Sequence, residues 1–156
     1  MYLNFSHNSN YLAVADADYC VSLYKCTKQK EVEGEDTNEE WNYIGKYRSH
    51  SKPVTGLLFF ENNGESRLLS ISEDRQMVEY DLLNSLPATG LLVKEIIQVE
   101  QYGQPTSLCY VKGVNGASVD NIVVANDQYK LKLWHTQTKQ CCRTLLGPTY
   151  GGPLNK

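Results

Sequence analysis

Short apolar runs separated by clusters of Asn, Asp, Ser and Gly recur along the whole chain. Runs of that kind read as β-strands. Asn, Asp and Ser side chains bond their own backbone in turns, and Gly tolerates positive φ. The first set of strands falls at residues 2–5, 11–15, 20–24 and 41–47. The second falls at 54–60, 67–72, 76–80 and within 91–99, and the third near 106–111, 121–125, 130–135 and 141–145. His7-Asn-Ser-Asn10, Asp16-Ala-Asp18, Asn62-Asn-Gly64, Glu73-Asp-Arg75 and Asn126-Asp-Gln128 supply turns between them. No stretch predicts a helix. Leu57-Leu-Phe-Phe60 and Ile122-Val-Val-Ala125 are apolar at successive positions. Both faces of their sheets are therefore expected to be covered.

The third strand of each set closes on an aromatic followed by a polar residue. These aromatics are Tyr24, Tyr80 and Trp134, which lie 56 and 54 residues apart. A period of that size points to radial or solenoid stacking. Four-stranded sheets stacked face to face around an axis form a β-propeller. A β-sandwich also has short strands and frequent turns, but it does not require a repeat. The expected fold is all-β, with about three four-stranded propeller blades. Blade one covers residues 1–48, blade two 49–100 and blade three 101–147, with 148–156 a breaker-rich connector to a further blade. Residues 27–40 carry Glu31, Glu33, Glu35, Asp36, Glu39 and Glu40 and read as a solvated loop insertion. Val114-Asn-Gly116 marks a second loop. Propellers usually have about four to eight blades. Three make an arc, so the chain is expected to be part of a larger or incomplete propeller, with a bare blade face at each end.

Composition removes several function classes. The formal charge of the 156 residues is -3, and no basic patch suggests a nucleic-acid partner. No apolar run is long enough to span a membrane, and no basic segment leads into an apolar leader. Five cysteines, an odd number without a CxxC pair, argue against a disulfide framework or a zinc site and favour a reducing compartment. Cys141 and Cys142 are adjacent in a predicted strand, so one is expected in the core and one outside. The acidic run lacks the spacing of a calcium loop, and no Gly-rich phosphate cradle or HExxH is present. No cofactor or metal is expected. Asn4-Phe-Ser6 fits a glycosylation acceptor but reads as incidental.

Leu68-Leu-Ser-Ile-Ser-Glu-Asp-Arg-Gln-Met-Val-Glu-Tyr-Asp81, preceded by Ser49-His50, resembles a WD repeat. In that family a His, a Ser or Thr, an Asp and a Trp form a hydrogen-bonded tetrad within a blade. The matching positions are His50, Ser70, Asp74 and Tyr80. Such a buried chain is favourable only when every member is satisfied. Tyr80 offers an O–H at the ring tip rather than an indole N–H, and the sequence leaves open whether that closes the chain. The outer units are degenerate. Asp18 and Tyr24 keep the Asp-to-aromatic spacing, with Val14 in place of Ser. Asp127 lies one residue early before Trp134, with Gln128 at the Asp position and Val124 in place of Ser. A His, a Ser and an Asp also match the residue types of a catalytic triad. Ser70 lies in a predicted buried strand without a glycine-flanked elbow, so the structural network is preferred.

Asn4-Phe-Ser-His-Asn-Ser-Asn-Tyr-Leu-Ala-Val-Ala-Asp16, Ser49-His-Ser-Lys-Pro53, Gln98-Val-Glu-Gln-Tyr-Gly-Gln-Pro105 and Thr144-Leu-Leu-Gly-Pro-Thr-Tyr-Gly151 together are similar to the cilia- and flagella-associated protein 251 family of WD-repeat proteins. The resemblance implies a non-enzymatic scaffold of the axoneme at the radial-spoke base. It also implies partners in a calmodulin- and spoke-associated complex, and a role in the motility of cilia and sperm. The family's further blades and EF-hand-like region have no counterpart in these residues. Two other readings use the same fold: a cytoplasmic adaptor such as a ubiquitin-ligase substrate receptor, and a propeller enzyme with polar groups at the channel, where only Thr106 and Ser107 stand out.

Overall fold

The computed structural model describes residues 1–28, 39–113 and 119–147. The first sheet contains β1 (Tyr2–Phe5), β2 (Tyr11–Ala15), β3 (Cys20–Lys28) and β4 (Glu39–Arg48). The second contains β5 (Val54–Asn62), β6 (Glu65–Ser72), β7 (Gln76–Leu86) and β8 (Gly90–Gln98). The third contains β9 (Pro105–Val111), β10 (Asn121–Asn126), β11 (Lys130–His135) and β12 (Cys141–Leu146). Each sheet is an antiparallel meander in which chain neighbours are also spatial neighbours. Among the described residues there is no helix, hence none long and apolar enough to cross a membrane.

Local chemistry explains the hairpins. Between β2 and β3, β6 and β7, and β10 and β11 the turn uses one backbone path, with Tyr19, Arg75 and Tyr129 at φ of 64°, 71° and 58°. A side-chain oxygen three residues earlier, on Asp16, Ser72 or Asn126, receives the N–H two residues ahead of itself. That bond holds the turn against the cost of the left-handed residue. Asn63 and Gly64 both have positive φ in the two-residue turn from β5 to β6, as a type I′ hairpin requires.

The three sheets stack like leaves of a fan. β1 packs beside β5 and β5 beside β9, and β4 also packs beside β8. The second sheet is covered on both faces. Leu68, Val78, Tyr80 and Leu82 meet Ala13, Ala15, Val21 and Leu23 of the first sheet. Leu69, Ile71 and Met77, pointing the other way as strand alternation demands, meet Ile122, Val124 and Trp134 of the third. Strand pairing makes the repeat explicit. Phe5 sits opposite Leu12, Phe59 opposite Leu68 and Tyr110 opposite Ile122. One step along, Leu3, Leu57 and Leu108 face Val14, Ser70 and Val124. This is an all-β stack of propeller-type blades.

Four expectations need correction. β3 continues to Lys28 and β4 begins at Glu39, with Thr27 paired to Glu40, so the strand ladder runs into the predicted 27–40 insertion. The ladder persists because Asn42 donates to the Thr27 hydroxyl (2.8 Å), which in turn bonds the Glu40 carbonyl (3.3 Å). The remaining acidic positions, the 114–116 loop and the 148–156 connector lie outside the described residues. β7 extends to Leu86, beyond the predicted end at residue 80. The Ser85 hydroxyl donates to the Asp81 carbonyl and accepts the Leu92 N–H, which spans the irregular pairing there. In β10, Val123 and Ala125 are only half-buried, because no other described sheet covers that face. Finally, Cys141 and Cys142 are both exposed. β12 is the outermost strand of its sheet and every one of its residues is exposed, so alternation there separates two solvent-facing sides.

Candidate functional site

The polar centre of the molecule is a chain of side chains inside the second sheet. The segment between β4 and β5 carries Ser49 and His50, β6 carries Ser70, the following turn Asp74, and β7 Tyr80. Their backbone positions bring all five together. His50 Nδ1 lies 3.0 Å from Asp74 Oδ2 and 3.2 Å from Oδ1. With the carboxylate ionised, Nδ1 carries the proton that it donates. Nε2 then accepts from the Ser70 hydroxyl at 2.7 Å. The Tyr80 hydroxyl lies 2.9 Å from Ser70 Oγ and 2.5 Å from Ser49 Oγ, bridging the two serines. Ser49 passes the chain on to the Tyr47 carbonyl at 3.2 Å. The tyrosine thus reaches a fifth residue, Ser49, which the four-residue pattern does not include.

Burial alone raises the Asp74 carboxyl pKa, but the His50 imidazole and the N–H groups of Ser51 and Gln76 outweigh it and hold it below the usual carboxylate value. Tyr80 is pushed well above the ordinary phenol value, chiefly by burial. It therefore stays a neutral hydroxyl. Ser70 is fully buried, so its oxygen has no open side for a substrate to approach.

The outer sheets place their counterparts differently. Asp18 is exposed; Asp16 holds that turn instead, accepting the N–H groups of Asp18 and Cys20 at 3.0 and 3.1 Å. Lys46 lowers the Asp16 carboxyl from its usual value. Tyr24 stacks at a tilt on Tyr43, with 5.4 Å between ring centres. Asp127 accepts the Gln104 N–H at 2.8 Å, clasping the segment before β9 much as Asp74 clasps Ser51. Trp134 is buried, and its indole N–H has no partner among the described residues; Val124 stands where the second sheet has Ser70. Thr106 and Ser107 are exposed on β9, and the Thr106 hydroxyl turns to the Ala125 carbonyl (3.4 Å) rather than toward a cluster.

Two buried polar groups escaped the sequence reading. Glu100 occupies the place of His50, two residues beyond the preceding strand. It accepts from Asn126 Nδ2 at 3.0 Å and Lys132 Nζ at 2.8 Å. The third sheet therefore has its own brace, built from other residue types. The shared offset from the strand end was the available signal. Glu79 is 1% exposed and sits between the second and third sheets. Arg67 Nε bonds its Oε1 at 2.7 Å, Lys94 lies 3.4 Å from the same oxygen, and Lys139 Nζ lies 2.7 Å from Oε2. Burial opposes ionisation of Glu79, yet Lys139 and the two further cations keep its carboxyl below the usual range. Among the described residues no group of three or more His, Cys, Asp or Glu side chains is placed to hold a metal.

No protein-family model matches the chain. Curated relatives do. A protein of Pongo abelii is 34% identical over 99% of this chain, and one of Mus musculus 34% over 96%. A third, from Tetrahymena thermophila, is 34% identical over 97% of the chain. All three are named cilia- and flagella-associated protein 251. The chain is a homologue of one segment of that protein. It spans 13%, 11% and 17% of the three relatives' own lengths. The likeness to cilia- and flagella-associated protein 251 thus extends from mammals to a ciliate, over nearly all of this chain and a small part of each relative.

Proposed function

We propose that the chain is a non-enzymatic WD-repeat scaffold of the cilium or flagellum. Its blades would hold surface loops in fixed positions for other proteins of the axoneme. The observation that carries the non-enzymatic part is the state of the His50–Ser70–Asp74 group. Its serine is sealed in the core and its histidine is occupied on both nitrogens. A nucleophile needs an exposed oxygen beside oxyanion donors, whereas a satisfied buried network positions backbone and adds rigidity.

The ciliary part is supported by homology over almost the whole chain to proteins named for cilia and flagella. Radial-spoke and calmodulin-associated complex subunits are the proposed partners, with motility the proposed consequence. Docking would use the loops between strands and the propeller rim. A tagged protein expressed in a ciliated cell tests this. Signal along the axoneme, with radial-spoke subunits recovered by proximity labelling, is the expected result. A diffuse cytoplasmic signal with ubiquitin-ligase subunits among the labelled proteins would overturn it in favour of an adaptor.

A further inference from the structure

The turn from β11 to β12 is organised around one residue, His135, which bonds to it through three atoms. The His135 N–H donates to the Gln140 carbonyl at 3.0 Å, and the His135 carbonyl accepts the Lys139 N–H at 3.0 Å. The ring Nδ1 lies 3.1 Å from the Gln137 nitrogen and 3.2 Å from the Thr138 nitrogen. Both nitrogens are backbone N–H groups, which only donate. Nδ1 is therefore bare, and the ring proton sits on Nε2. Other turns of the chain give this task to an oxygen. Asn126 takes the Gln128 N–H at 3.0 Å, and Asp16 takes the Asp18 N–H at 3.0 Å. An amide oxygen keeps its lone pairs in mild acid. A doubly protonated imidazole does not, because both of its nitrogens then donate.

The cargo of this turn makes the difference matter. Lys139 stands at a φ of 55°, a conformation that is uncommon for a residue other than Gly, Asn or Asp and needs support from its surroundings. Its ammonium enters the seam between the second and third sheets. There it donates to the Thr136 carbonyl at 2.7 Å and pairs with Glu79 Oε2 at 2.7 Å, with 4% of the side chain exposed. The imidazole thus holds the two residues just before the one cation that reaches Glu79 from the third sheet.

We propose that His135 is an acid-sensitive latch on the third sheet: a proton on Nδ1 opens the turn and withdraws Lys139 from Glu79. That proton would point at two N–H groups, so both bonds would be lost. The contacts are complete with the ring neutral and are lost as pH falls. Imidazole is the side chain whose ordinary chemistry changes charge between about pH 5 and 8. The ionisable groups on the neighbouring elements are engaged elsewhere or lie at the surface. Ahead of β10, the Asp120 carboxylate takes the Tyr110 hydroxyl at 2.6 Å and the Gly113 N–H at 2.8 Å, and Lys112 adds an electrostatic pull. On β12, the Cys141 and Cys142 thiols turn to the Arg143 and Leu133 carbonyls, and Arg143 is exposed. The Tyr110 hydroxyl holds the Asp120 carboxyl below its usual range. At Glu79, burial is outweighed by the cations, so both carboxylates stay ionised while the imidazole titrates. The latch and the ciliary reading are independent, so each fails separately.

Amide hydrogen exchange at residues 136–139, compared between the parent and His135→Asn, tests it. The Asn oxygen takes the same two N–H groups and gains no proton in this range. At about pH 7.5 the two proteins are expected to be equally protected, and at about pH 5.5 the parent is expected to exchange about tenfold faster, the effect of losing two hydrogen bonds. Labelling of Lys139 by an amine-directed reagent at the lower pH is expected to be faster in the parent by a similar factor. His7 and His50 are present in both proteins, so their titration cancels in each ratio. A parent that stays protected in acid, a variant that opens alongside it, or equal labelling of Lys139 would each overturn the proposal. If His135→Asn fails to fold, the ring nitrogen-15 resonances of the parent decide. A bare Nδ1 at neutral pH that gains its proton in step with the exchange is expected, and a protonated Nδ1 at neutral pH would overturn the latch.

Discussion

Asp74→Ala removes one acceptor from three donors, and the structure says which loss matters. The Ser51 N–H lies 3.0 Å from Oδ2 on an exposed residue, so water replaces the carboxylate at little cost. The Gln76 N–H belongs to a half-buried residue at the mouth of the turn and is partly rescued in the same way. His50 Nδ1 is different. Its side chain is 0% exposed, so no water replaces the carboxylate. Leaving one buried donor unpaired costs about 1–3 kcal/mol, which sets the expected loss. Urea denaturation followed by the combined fluorescence of Trp41 and Trp134 reads it as a lower midpoint at unchanged slope. The acid dependence has a defined sign. The Asp74 carboxyl is held below its ordinary value in the folded chain. Its contribution is therefore complete above the unfolded value, near about pH 4, and is lost as pH falls through the folded one. The gap between parent and variant should narrow in acid. Equal midpoints at neutral pH, or a gap that widens in acid, would refute the brace as a stabilising element.

At the second interface, Glu79→Ala is expected to cost about 3–5 kcal/mol, because it strands a buried Lys139. Lys139→Met should cost less, because Glu79 keeps Arg67; the reverse order in denaturant would disprove the assignment. Gly45→Ala would press its new methyl against the Gly90 Cα at 2.7 Å and the Leu91 backbone nitrogen. Overpacking against backbone costs about 1–3 kcal/mol, visible as a melting temperature lowered by about 2–4 °C per kcal/mol. An unchanged melting curve would mean that β4 and β8 do not approach as described. Trp134→Phe removes an indole N–H that has no partner among the described residues, which offsets the smaller ring. Stability should stay within about 1 kcal/mol of the parent, and a loss above about 3 kcal/mol would reveal a hidden acceptor.

The sheet-by-sheet layout was legible because each strand is short, apolar and bounded by residues with turn chemistry of their own. Asp16, Ser72 and Asn126 are different residue types that accept the same turn N–H, so the repeat survives in the hairpins although it fades in the letters. The cluster around His50 was legible because four residue types stand at fixed offsets. Glu100 and Lys132 were not, since a search for His at that offset passes over a carboxylate that does the same holding work. Burial at the ends of the stack was misjudged for a different reason. Ile122-Val-Val-Ala125 is apolar at every position, but a side chain's own chemistry does not reveal whether another sheet lies against it. Cys141 and Cys142 show the same limit: alternation assigns them opposite sides, and the edge position of β12 makes both sides wet.

The two internal interfaces are not equivalent, and the difference bears on how firmly each pair of sheets is held. Between the first and second sheets, Val21, Leu23, Ile44, Leu82 and Leu91 meet in one apolar cluster. Apolar burial is non-directional, so the relative position of those sheets is set by shape together with neutral hydrogen bonds such as Asn4 Nδ2 to the Leu57 carbonyl. Between the second and third, the place taken by Leu23 in the first sheet is taken by Glu79. The carboxylate draws Lys139 down from the β11–β12 turn, while Lys139 also donates to its own Thr136 carbonyl at 2.7 Å. A buried carboxylate cannot tolerate a shifted cation as a leucine tolerates a shifted leucine, because the desolvation cost remains when the pairing is lost. The third sheet therefore docks in one register, and Gly103, packed against Asn126 and Asp127, fits the adjoining segment to that register. Sliding of the third sheet along the second would break the Lys139 pair and the Lys132 contact to the Val99 carbonyl together.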